Sequence, residues 1–364
     1  MPDAQPDPST GVSSRLAWAD SARALSVLAV VLFHVGLWHF LPHSAELWEP
    51  AARAWAKING ILASVRIPLL LAVSGLVMSR RIRLGFADPA NIGRAIASYY
   101  LYIVWLLIYA LFFALVTYDD LPHRIHGPLD LFAQFLVPDT TLWYVFALAV
   151  YVLVFSALRQ LPPWIVLVAL AALTIIIRIS DVQGLQAYKI PEVAFFFAVG
   201  VYGASQIRSL AENSTVLRGA ALLVLAAVVT LGGRFMTGEI SGSVLFMVRG
   251  VTFMVTSVAV IAVLVRWRPL GRAMSAVGRQ TLPIYVMHPL LLYVLIASTA
   301  QWSGFDALLA HPVVSVIYPV VITVGIALIS LAIHRVALLA RLSLMFGLPS
   351  GVRESLSRIL AQRA

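Results

Sequence analysis

LAWADSARALSVLAVVLFHV, residues 16–35, is apolar and long enough to start a membrane helix, yet it carries Asp20, Arg23 and His34. Arg23 and His34 are eleven residues apart, about three helical turns, so both fall on one face of the helix. At a rise of about 1.5 Å per residue, His34 lies roughly 16 Å deeper than Arg23. An ionisable side chain at that depth in hydrocarbon is expensive to keep, which makes it a functional-site hypothesis by default.

The rest of the composition fits a membrane setting. The chain has 364 residues, is 61% hydrophobic and only 12% charged, and contains no cysteine. Disulfides, thiolate catalysis and cysteine-held metals are thereby excluded. The net charge of +10 does not imply nucleic acid, because the basic residues follow the membrane boundaries. Ten apolar segments are expected to span, at about 22–41, 58–79, 95–117, 141–158, 163–180, 190–207, 216–232, 243–265, 281–299 and 312–334, with the sixth weakened by Glu192. If the N-terminus is inside, 18 of the 26 Lys and Arg fall at the inner ends, which places both termini in the cytoplasm. The fold expected is an all-α polytopic membrane protein, about ten transmembrane helices in one bundle. Residues 1–14 are read as a disordered N-terminal tail, 15–335 as the membrane domain, with the first span retained, and 336–364 as a basic amphipathic tail on the inner leaflet. The stretch PLDLFAQFLV in the loop 118–140 is apolar but too short to span, and is expected to lie at the interface or to re-enter.

Several buried polar residues compete for a role. His34 has only Val, Leu, Phe and Gly around it in sequence, so it is either a packing histidine bonded to a carbonyl or a general base or acyl acceptor. Arg66, eight residues into the second span, reaches about the same depth and would favour neutral imidazole; its alternative is a structural arginine. Asp20, fourteen residues from His34, is too far to orient it and is expected to cap the helix or pair with Arg23. Glu192 is expected to pair with Arg249 or Arg66, or to bind a sugar hydroxyl. Tyr285 and His288 lie one turn apart in PIYVMHPLL, where a histidine before Pro289 fills the gap left by the lost backbone bond or serves the substrate. The run Arg80–Arg83 after the second span suits topology or phosphate binding. His39 and His43 lie one turn apart, but two ligands do not make a metal site, and none is expected.

Four segments in order resemble acyltransferase family 3, membrane O-acyltransferases of surface glycans and related acceptors, over residues 16–335. They are the opening span with Asp20 and the arginine-x10-histidine spacing of Arg23 and His34, IPLLLAVSGLVMSRRIR with its arginine-x-x-arginine at Arg80 and Arg83, LWYVFALAVYV at 142–152, and GRQTLPIYVMHPL at 278–290. Thr141 departs from a histidine found in many members, and Thr281 from a serine. The resemblance implies His34 as the essential residue, with Arg23, Arg80 and Arg83 serving an acyl-CoA donor that delivers acetyl or succinyl. It implies a glycan or glycolipid acceptor beyond the outer face and an inner-membrane location; the extra hydrolase-like soluble domain that some members carry is not expected here. Trp143 is then available for sugar stacking, and Arg66 with Arg249 for a second carboxylate. The competing reading is a transporter or flippase of a lipid-linked glycan, disfavoured by the lack of an evident inverted repeat.

Overall fold

The computed structural model describes residues 9–43, 48–116, 118–180, 182 and 184–361, and among them there is no strand. The helices are α1 (Ser9–His34), α2 (Glu49–Ile82), α3 (Pro89–Leu115), α4 (Pro128–Gln134), α5 (Trp143–Ala157), α6 (Pro163–Ile179), α7 (Lys189–Tyr202), α8 (Ala204–Glu212), α9 (Val216–Gly232), α10 (Glu239–Leu264), α11 (Arg268–Gly278), α12 (Thr281–Thr299), α13 (Phe305–Ala310), α14 (Pro312–Leu339) and α15 (Ser350–Ala361). Helix α1 begins inside the stretch expected as a tail, since a helix once nucleated gains a hydrogen bond for each added residue; residues 1–8 lie outside the described residues. With α1 starting at Ser9, Asp20 is mid-helix and caps nothing. It stands 4.0 Å from Arg23.

Among the described residues eight helices are long and apolar enough to cross a membrane, or nine if a bent pair counts as one span. The fifth and sixth expected spans depart from that pattern. Helix α6 has 17 residues, and the sixth segment is broken by a bend of 67° between Tyr202 and Ala204. The break falls at Gly203, not at Glu192, which sits in the first turn of α7.

Helices α6 and α7, of 17 and 14 residues, measure about 25 and 21 Å and fall short of a hydrocarbon core of about 30 Å. The loop 118–140 fills part of the missing length. The Tyr102 hydroxyl donates to the Gln134 carbonyl and the Tyr99 hydroxyl to the Phe135 carbonyl at 3.0 Å. Tyr99 is sixteen residues before the end of α3, so α4 re-enters roughly 24 Å along that helix. At the other end, the chain after α14 folds back onto α3, where the Trp105 indole donates to the Met345 carbonyl at 2.8 Å. The apolar face expected for the tail falls partly on Leu356 and Leu360, whose side chains lie outside the described residues.

Small residues set how closely the central helices approach. A Cβ on Gly75 would sit 2.2 Å from the Phe197 carbonyl oxygen, and one on Gly200 would sit 2.0 Å from that of Ala72. Helices α2 and α7 therefore touch backbone to backbone, as small residues allow in membranes. The α1–α11 contact works the same way, since a Cβ on Gly278 would lie 2.0 Å from the Asp20 carbonyl oxygen. Gly200→Val forces α2 and α7 apart, and a loss of about 1–3 kcal/mol is expected. Thermal unfolding of the purified protein checks this: a variant melting with the wild type contradicts the close contact.

Candidate active site

Pro289 has no N–H, so the Tyr285 carbonyl four residues earlier loses its helical donor. His288 takes that place, with Nδ1 2.7 Å from the Tyr285 carbonyl oxygen and 3.2 Å from that of Ile284. A carbonyl only accepts, so His288 Nδ1 carries the proton and, in the neutral ring, Nε2 is an acceptor. His34 Nδ1 lies 2.9 Å from that Nε2 and must donate to it. The His34 proton is thus on Nδ1, and its Nε2 keeps a lone pair. The indole of Trp38 stacks on the imidazole with centroids 4.1 Å apart, fixing the ring plane. His288 is fully buried; its bond to the Tyr285 carbonyl fills the gap left at Pro289, and its Nε2 sets the tautomer of His34.

His34 borders a cavity of about 220 Å³ whose walls also include Arg66, Trp143, Lys189, Glu192 and Tyr285. The structure thereby brings together five residues singled out from sequence. Trp143 and Tyr285 are buried in the wall. The Tyr285 hydroxyl donates to the Thr141 carbonyl, and Thr141 itself lines the cavity. Arg66 lays its guanidinium over the Phe33 ring at 3.5 Å. Glu192 pairs with Arg178 at 2.7 Å, not with Arg249 or Arg66, because α6 and α7 pack side by side with Arg178 near the end of one and Glu192 near the start of the other. Arg249 is not among the cavity residues.

Lys189 was missed as a site residue, since in sequence it reads as a boundary charge. Its ammonium lies 6.0 Å from the Trp143 ring centre. Lys189 is the first residue of α7, and that helix start lines the cavity together with Glu192 and Val193. The re-entrant loop closes the same side. His123, with a left-handed φ of 56°, sets its ring edge-on to Trp38 at 5.8 Å and meets the Gln186 side chain at 3.3 Å. Burial first, and the Lys189 ammonium second, hold the His123 imidazole below its ordinary pKa, with Asp139 pulling the other way.

A family model described as an acyltransferase domain, that of acyltransferase family 3, matches residues 16–335, most of the chain. The chain belongs to acyltransferase family 3. No curated protein and no solved structure matches it.

In this acyltransferase the arginines expected to serve a donor stand apart from the cavity. Arg23 is half-buried near the start of the bundle, whereas Arg80 and Arg83 are exposed at the end of α2, with Arg83 Nη2 3.4 Å from the Val201 carbonyl oxygen. At the same end a cleft of about 430 Å³ is lined by Asp20, Arg268, Arg272, Ser275 and Arg279. His39 and His43, weighed as metal ligands, are engaged by protein groups, the Tyr318 hydroxyl at 2.6 Å and Asp306 at 2.8 Å respectively.

Proposed function

We propose that this membrane acyltransferase moves an acyl group, acetyl or succinyl, from cytoplasmic acyl-CoA to a hydroxyl of a glycan or glycolipid reached from the opposite face. The observation that carries the reading is the basic nitrogen of His34, oriented by His288 beside a cavity that a small acyl group fits. His34 Nε2 takes the proton of the acceptor hydroxyl as its oxygen attacks the thioester carbonyl. The tetrahedral adduct collapses, the carbon–sulfur bond breaks, and the leaving thiolate recovers the proton from the imidazolium. As that imidazolium forms, its Nδ1–H bond to His288 shortens and holds the ring in place. Arg66 and Lys189 line the same cavity, and their positive charge makes it a site for an anionic group.

The two ends of the bundle suit two substrates. Arg23, Arg80 and Arg83, with the arginine-lined cleft beside Asp20, present planar donors at one end for the phosphates of the acyl-CoA. The acceptor would enter from the other end, past the loop 118–140, with Trp143 available for stacking on a sugar. An inner-membrane location belongs to this reading, since it gives one end access to cytoplasmic acyl-CoA. Arg80→Ala combined with Arg83→Ala is expected to raise KM for acyl-CoA by about tenfold or more, with kcat changing less, since charged hydrogen bonds contribute roughly 1.5–3 kcal/mol each. Initial rates of the purified protein in nanodiscs check this, and an unchanged KM removes both residues from the donor site.

A further inference from the structure

The charges around the cavity do not balance. Arg66, Lys189 and Glu192 line it, and Arg178 already holds the Glu192 carboxylate at 2.7 Å. Arg66 and Lys189 then remain outside any ion pair among the described residues, with Glu192 and Asp139 acting on Lys189 only from further off. Among the described residues Arg66 forms no ion pair, and its Nη1 is buried with no hydrogen-bond partner. Lys189 is met by the Gln186 amide oxygen at 2.5 Å, a neutral group. The Phe33 face under the Arg66 guanidinium supplies part of the missing stabilisation, about 0.5–2 kcal/mol, but accepts no N–H. A guanidinium N–H left bare in a buried site is costly, and a planar carboxylate is the group its fork fits best.

We infer that Arg66 and Lys189 form a carboxylate subsite of the cavity, so that one of the two substrates carries an anionic group besides the one that reacts at His34. The inference deepens the acyl-transfer reading and rests on it for which substrate carries the charge. A dicarboxylic acyl group would place its thioester carbonyl toward His34 and its free carboxylate on Arg66 and Lys189. An acidic sugar would place its carboxylate there and a hydroxyl toward His34. Both use the same chemistry at the subsite, and neither needs Arg249, which stands outside the cavity.

The test is equilibrium binding of free succinate and of uncharged succinamide to the full-length protein in nanodiscs, by microscale thermophoresis. Wild type is expected to bind succinate at least about tenfold more tightly than succinamide, a difference of about 1.4 kcal/mol. Arg66→Met and, separately, Lys189→Met are expected to remove that preference. Equal binding of succinate and succinamide by wild type overturns the subsite, and this arm needs no variant to fold. Variants that melt with wild type and keep its preference also overturn it. Displacement of succinate by succinyl-CoA but not by acetyl-CoA places the carboxylate on the donor. Displacement by glucuronate and not by succinyl-CoA places it on the acceptor. If succinate binds as expected but no acyl-CoA is consumed with any acceptor, the acyl-transfer reading fails while the subsite stands.

Discussion

His34→Ala is expected to lower acyl transfer by about 10²–10⁴-fold, the range that a positioned general base supplies. The loss should appear in kcat, because the binding arginines at the far end of the bundle and the cations of the cavity wall are untouched. Alanine leaves a void beside Trp38 and His288, so the melting temperature must be followed together with the rate. A variant that folds, binds acyl-CoA like wild type and turns over no acceptor supports His34 as the base. A variant retaining more than a tenth of the rate removes His34 from the chemistry.

The second large effect is expected at His288, which is buried behind His34, is not among the cavity residues, and would act through its contact with His34. His288→Leu deprives His34 Nδ1–H of its acceptor and the Tyr285 carbonyl of its donor, so the His34 proton is free to settle on Nε2, the nitrogen that must stay bare. Loss of such a supporting partner costs roughly 10–100-fold in activity. The expected signature is a fall in kcat with KM for acyl-CoA unchanged. His288→Gln should recover part of the rate, because its amide offers an oxygen to His34 and an N–H to the Tyr285 carbonyl. If glutamine and leucine are equally damaging at equal melting temperature, the relay is not what His288 provides.

Much of this site was readable from residue chemistry. A histidine eleven residues inside an apolar helix, an arginine at matching depth on the next one, and a Tyr-x-x-His-Pro run all mark places where polarity is costly. These residues meet around His34. What sequence reasoning lacked was which boundary charges turn inward. Counting spans of about twenty residues reads Lys189 and Arg178 as boundary charges, yet Lys189 lines the cavity and Arg178 pairs with Glu192 beside it. Glu192 was accordingly given the wrong partner. The re-entry of α4 hangs on two tyrosine hydroxyls of α3 that no periodicity announces. The tautomer of His34 was within reach, since Pro289 already announces a carbonyl without a donor, but it needed the 2.9 Å contact between the two imidazoles to become an argument.

The most direct measurement is mass spectrometry of envelope glycans and lipids from cells making wild-type protein, His34→Ala, or neither. An acetyl- or succinyl-sized mass on one class of glycan or lipid, present only with wild type, is the expected result, and it names donor group and acceptor together. Glycans of unchanged mass in all three strains, with the deletion altering only where they accumulate, would contradict acyl transfer and favour transport.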